Sequence, residues 1–145
     1  MSEPKDECEM LLNAVLPLAE KFLAEHGEFF PFGAALGTDG KQAITMAHDG
    51  SDRAPSQPLI ELLRDGYRQG ARSGRLVATA LAYDALVIPP GQSTRTDAIA
   101  VELDHRWEYS TVVFVPYVIK SGQVRIGTAF VRAGENAIFG GQVAH

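Results

Sequence analysis

Between residues 75 and 131 the chain reads as four β-strands in a meander, at 76–88, 96–104, 110–119 and 124–131. That run restricts it to folds built around an antiparallel sheet. Side chains alternate between the two faces of a strand, so Ala78, Ala80 and Ala82 share one face of the first strand. Val77, Thr79, Leu81, Tyr83 and Val87 share the other. The second strand sets Ala98 and Ala100 against Ile99, Val101 and Leu103, and the fourth sets Gly127 and Ala129 against Val124, Ile126 and Phe130. The pattern predicts a sheet with one small-residue face and one large-residue face, both apolar and both needing cover. Residues 110–119 are almost continuously apolar, and Pro116, which has no N–H to donate, marks that strand as a sheet edge or a bulge.

Two helices and a hairpin precede the meander. In residues 6–26, Leu11, Val15, Leu18 and Phe22 recur at helical spacing, and Gly27 stands where a left-handed residue ends a helix. Pro17 inside this stretch predicts a kink or a break. Residues 34–37 and 42–47 are strand-like, and Asp39-Gly40 between them is a strong hairpin signal. Residues 48–55 read as a loop. Ser56 is a good N-cap for a second helix ending near Ser73, with Gly74 behind it. Its stripe, Leu59, Leu62, Leu63, Gly66, Tyr67 and Gly70, carries two glycines that predict close approach to the alanine face of the sheet. The first helix is then left for the large-residue face. The expected fold is α+β, one domain over 1–145, with two helices on an antiparallel sheet of five or six strands in the order α-β-β-α-β-β-β-β.

That element order resembles profilin-like and roadblock/longin modules, a likeness of fold that implies no activity. The line Phe30-Pro31-Phe32-Gly33, Thr38-Asp39-Gly40, Pro89-Pro90-Gly91 and Thr96-Asp97-Ala98-Ile99 is similar to a set of small bacterial proteins of unknown function. That resemblance covers most of the chain and implies no chemistry either.

Composition excludes several classes. A net charge of −5 and a pI near 5.3 supply no basic field for nucleic acid or anionic lipid. Cys8 is the only cysteine, which rules out an internal disulfide and a multi-cysteine metal site. The acidic N-terminus is unlike a signal peptide and no apolar run is long enough to span a bilayer, so a cytoplasmic protein is expected. No phosphate loop, dinucleotide fingerprint or nucleophile elbow occurs, and no cofactor is expected. The histidines, His26, His48, His105 and His145, have no metal-ligand spacing, and no metal site is expected.

The polar candidates lie at strand ends and loops. Asp84, Glu102 and Asp104 fall on the predicted small-residue face, where paired carboxylates can raise one another's pKa and do acid–base work. His105 follows Asp104, and His48-Asp49 ends the hairpin; solvated turn residues are the alternative for both pairs. Arg95, in the loop 89–97, has the geometry to clamp a carboxylate or phosphate, or else to pair with Asp97. Trp107 and Tyr109 at a hairpin tip, beside Arg106, would anchor an interface, as would an edge strand at Pro116. Two functions fit these features. One is a non-enzymatic interaction module whose partner is itself, as a homodimer, or another protein. The other is a small-ligand binder or acid–base enzyme using Asp84, Arg95, Glu102, Asp104 and His105.

Overall fold

The computed structural model describes residues 3–46 and 56–140. The elements are α1 (Pro4–His26), β1 (Phe32–Gly37), β2 (Gln42–Met46), α2 (Ser56–Arg72), β3 (Leu76–Val87), β4 (Thr96–His105), β5 (Tyr109–Lys120), β6 (Gln123–Ile126) and β7 (Phe130–Ala133). The strands form one antiparallel sheet in the order β2-β1-β3-β4-β5-β6, and β7 also pairs with β5. The α+β class and the element order are as expected. The fourth meander strand is divided into β6 and β7.

The division has a local cause. Strand β6 pairs with residues 117–120 of β5 and β7 with residues 111–114. Pro116 lies in the gap, where it has no N–H to give a neighbouring strand. Its carbonyl accepts the Gly127 N–H at 2.7 Å, at the point where the chain leaves the ladder. Gly127 and Ala129 are therefore outside the strands, and β5 is an interior strand rather than an edge. The outer strands are β2 on one side and β6 with β7 on the other.

Register decides which faces meet. Ala78, Ala80 and Ala82 of β3 stand opposite His105, Leu103 and Val101 of β4, and Tyr83 stands opposite Ala100. Each face is thus mixed, small residues on one strand lying beside large ones on the next. The expected division into a small face and a large face is wrong. Period-two alternation sorts residues within a strand but does not say which set its neighbour aligns with.

The α1 face carries the main core. Leu11, Val15, Ala19 and Leu23 of α1 are buried against Phe32 and Leu36 of β1, the alanine column of β3, and Ile99, Val101, Leu103, Val113 and Val115. The alanines of the central strand let α1 lie close, while the larger residues on either side fill the space along its flanks. Each large side chain buried there contributes about 1.5–3 kcal/mol. Helix α1 is continuous through Pro17, whose ring is exposed. Asn13, whose carbonyl loses its partner there, is also exposed, so water satisfies it. Gly27 ends the helix in the left-handed region at φ 75°, as expected.

Helix α2 covers only part of the opposite face. It buries Leu59, Ile60, Leu63, Tyr67 and Ala71 over β1 and β3, with Ile138 and Phe139 from the C-terminal segment joining the same cluster. Of the two glycines expected to nest on the sheet, Gly70 does so against the Leu76 side chain, 2.8 Å from where a Cβ would stand. Gly66 is exposed with nothing within 4 Å of that position, and Leu62 is 51% exposed. The stripe is centred one position away from where the glycines pointed. Gly66→Ala is accordingly expected to raise stability by about 0.5–1 kcal/mol through helix propensity alone. Urea denaturation of the two proteins measures it, and a loss of stability would contradict this placement of α2.

Among the described residues no helix is long and apolar enough to cross a membrane. The His48-Asp49 pair and His145 lie outside the described residues.

Candidate functional site

Beyond the edge of α2 the same sheet face is open, and there it is polar. Glu102 and Asp104 are two residues apart on β4 and so point to this face together. Across the ladder Val112 stands opposite Glu102, and Ser110 opposite Asp104. Tyr83 of β3 and Phe114 of β5 flank the next row, and Arg132 of β7 stands opposite Val112. Arg64 reaches down from α2, and residues 133–137 wall the far side. These residues enclose a pocket of about 300 Å³.

The wall segment is held by backbone geometry. The Gly134 N–H donates to the Ser110 carbonyl at 3.1 Å. A Cβ on Gly134 would meet the Ser110 carbonyl carbon at 2.8 Å and the Thr111 nitrogen at 2.9 Å. Only glycine lets the chain lie this close to β5. Arg68 Nε donates to the Ala137 carbonyl at 2.8 Å and ties the same segment to α2.

Within the pocket the two carboxylates differ sharply. Glu102 is saturated. Arg64 donates to it through Nε at 3.3 Å and Nη2 at 2.6 Å, and the Tyr83 hydroxyl donates at 2.7 Å. Arg64 Nη1 is taken by Glu61 at 2.6 Å. Burial works against the Arg64 charge, but the bonds to Glu102 and Glu61 outweigh it and push its pKa up. Tyr83 is also pushed up, by burial and by its bond to Glu102, so it stays a phenol. Asp104 is only 4% exposed, yet it accepts a single hydrogen bond, from Ser110 Oγ at 2.8 Å on Oδ1. Its Oδ2 has no partner among the described residues. The Ser110 hydroxyl is fixed in turn by the Asn136 N–H at 3.0 Å. Burial raises the Asp104 pKa to about 6, the Ser110 bond opposes the rise, Glu102 adds to it and Arg64 subtracts. Of two acids on one strand, one is thus engaged by Arg64 and Tyr83, and the other, Asp104, is the one whose pKa its burial raises.

The ion pair beside them is a test of the site's construction. Side chains of Arg64 and Glu102 are 20% and 13% exposed. Glu102→Ala is expected to cost about 1–3 kcal/mol by leaving Arg64 and Tyr83 underbonded at a partly buried position. A thermal melt that matches the parent would show that the cluster is a surface arrangement instead.

The remaining sequence candidates fall elsewhere. Asp84 is opposite Ile99 and so lies on the α1 face, not with Glu102 and Asp104 as alternation alone led us to expect. It accepts the Tyr117 hydroxyl at 2.9 Å. His105 also points to the α1 face, fully buried, with Nε2 2.9 Å from Glu7 and Nδ1 accepting the Trp107 N–H at 3.0 Å. Since Nδ1 accepts, Nε2 is the nitrogen that donates to Glu7. Both ring nitrogens are spent on holding the start of α1 to the end of β4. Cys8, next to this contact, is buried, and that burial raises its pKa to about 12, which keeps it an unreactive thiol. Arg95 is exposed and makes no ion pair with Asp97 among the described residues. Trp107 is 58% exposed with the Arg106 guanidinium 4.5 Å over its ring, and Tyr109 is partly buried. Pro116 is partly buried at the β6/β7 break.

Sequence reasoning missed Arg64, Tyr83, Ser110 and Arg132. Arg64 flanks the buried Ile60, Leu63 and Tyr67 on α2, which marks a cation at the edge of a covered face. The other three become site residues only through register. Among the described residues no group of three or more His, Cys, Asp or Glu side chains is placed to hold a metal ion. Compared with protein-family models, curated proteins and solved structures, the chain matches none of them.

Proposed function

We propose that this protein binds a small polar molecule in the pocket between α2, β4, β5 and the segment after β7, with Asp104 as its proton-exchanging group. The observation that carries the reading is Asp104 itself: a residue 4% exposed, lining a cavity of about 300 Å³, with one carboxyl oxygen unpartnered among the described residues. A buried ionisable group in a cleft costs stability, and such groups cluster where a ligand or a reaction uses them. Glu102, Arg64 and Tyr83 form the rigid wall that holds Asp104 and the ligand in a fixed relation. The single buried thiol, Cys8, is in keeping with a reducing, cytoplasmic setting.

A second reading, self-association as a homodimer, is favoured by one feature. Strand β2 is an outer strand with every residue exposed, and it presents Ile44 and Met46 beside Phe30. Proteins usually protect such edges with charge or proline, and this one carries neither in Gln42–Met46.

Amide shifts of the labelled protein on titration with a library of small polar fragments separate the two readings. Binding in the pocket moves resonances of Arg64, Tyr83, Glu102, Asp104, 110–114 and 132–137. In Val112→Trp, where an indole fills the cavity, those shifts disappear. Shifts nowhere, or concentration-dependent broadening confined to β2, would overturn the pocket.

A further inference from the structure

The bonding inside the pocket specifies what kind of molecule it leaves unsatisfied. Three of the five Arg64 N–H groups are used, one each on Nε and Nη2 by Glu102 and one on Nη1 by Glu61. The Tyr83 proton goes to Glu102 and the Ser110 proton to Asp104. Around Asp104 what remains is acceptor capacity, its second oxygen, with the exposed Glu135 carboxylate making no ion pair among the described residues; the free donors of the lining are those of Arg132, whose one hydrogen bond among the described residues is from Nη2 to the Ile88 carbonyl at 3.5 Å. The lining holds three carboxylates, Glu102, Asp104 and Glu135, against two guanidiniums, Arg64 and Arg132. Arg132 lies over the rings of Phe114 and Phe130, at 5.2 and 5.4 Å, rather than against an acid. A cation therefore already sits on the aromatic side of this pocket, and on its floor Asp104 is the carboxyl that no cation pairs among the described residues. Beside the acids the floor is apolar, with Val112 and Phe114 in one column of β5.

We propose that the pocket takes a small cationic amine, its ammonium group on the free oxygen of Asp104 and its apolar body against Val112 and Phe114. This rests on the pocket being the binding site. An ammonium supplies N–H donors to the Asp104 oxygen, which neither Arg64 nor Arg132 bonds, and the charge that a buried carboxylate needs, and charge-assisted bonds of this kind are about twice as strong as neutral ones. A neutral alcohol of the same shape offers one donor and no charge. A carboxylate would set a further acceptor and a further negative charge beside Asp104.

Binding also depends on pH. The groups facing Asp104 are Glu102 on its own strand, Ser110 on β5, Arg64 from α2, Arg132 from β7 and Glu135 from the segment after β7, while the Cys8 thiol lies across the sheet on the α1 side. Asp104 gains a proton near pH 6, so the amine is held above that pH and released below it.

Benzylamine, benzyl alcohol and benzoate, titrated separately into the labelled protein at pH 8 and pH 4.5, test the assignment. The expected result is that benzylamine alone shifts the Asp104, Ser110 and Val112 resonances at pH 8. At pH 4.5 and in Asp104→Asn its affinity falls at least tenfold. Equal binding of benzyl alcohol or benzoate, or undiminished benzylamine binding by Asp104→Asn, would overturn the amine assignment while leaving the pocket as the site. If none of the three moves these resonances at pH 8 while other polar fragments do, the amine assignment is again overturned. If no fragment of any class moves them, the pocket reading falls with it.

Discussion

Asp104→Asn is expected to make the protein more stable at pH 8, by about 1–2 kcal/mol, while removing its ligand affinity. The sign follows from linkage. The Asp104 carboxyl titrates near 3.8 in the unfolded chain and about 6 in the folded one. Between those values the folded protein holds a proton that the unfolded chain has released, so stability falls as pH rises through the window. A shift of that size corresponds to at most about 3 kcal/mol, and the group is buried enough for much of it to be felt. An asparagine keeps the shape and the acceptor for Ser110 Oγ but never ionises. At pH 4 the two proteins should therefore be nearly equal, and they should separate as the pH rises to 8. Urea denaturation at a series of pH values measures the difference. Parallel curves, or an asparagine variant less stable at pH 8, would show that the carboxylate is not penalised by its site.

Phe32→Ala is expected to have the largest effect on the fold, a loss of about 3–5 kcal/mol. Phe32 is fully buried on β1, and its ring meets Phe22 and Phe29 edge-on with centroids 5.8 and 6.0 Å away. It fills the space beside the β3 alanine column, opposite Ala82, under the end of α1. Removing it opens a cavity between helix and sheet that backbone movement closes only in part. For a chain of this length the loss corresponds to a melting temperature lower by about 10–15 °C. Leu86→Ala is the control, because Leu86 is 59% exposed and its truncation should change stability by under about 0.5 kcal/mol. Comparable melting temperatures for the two variants would contradict the location of the core on the α1 face.

Local features of the fold were legible in the sequence because they depend on neighbours along the chain. Asp39-Gly40 marks the hairpin, Gly27 and Gly74 adopt the left-handed conformation that ends each helix, and the alternation in 76–87 and 96–105 is that of real strands. What failed depends on how strands align. Ala80 lies beside Leu103 rather than beside Ala100, and that single fact sends Asp84 to one side of the sheet and Glu102 with Asp104 to the other. The turn 106–108, with Glu108 at φ 61°, sets Ser110 opposite Asp104, and no pattern within either strand encodes that distance. Pro116 is legible as a disturbance, an edge or a bulge, and in the structure it marks the break between two short partner strands. Of the candidate site, Glu102 and Asp104 were found from their spacing. Arg64, which comes from a helix 38 residues earlier in the chain, distinguishes one from the other by saturating Glu102.

Glu102 is held by Arg64 and Tyr83, and Asp104 is the carboxyl that its burial makes easier to protonate. The side-chain carboxyl carbon of Asp104, followed by NMR in the intact protein from pH 3 to pH 9, reports it directly. A midpoint near 6 is expected for Asp104, and a midpoint near 4, where a solvated aspartate titrates, would contradict its burial in this site.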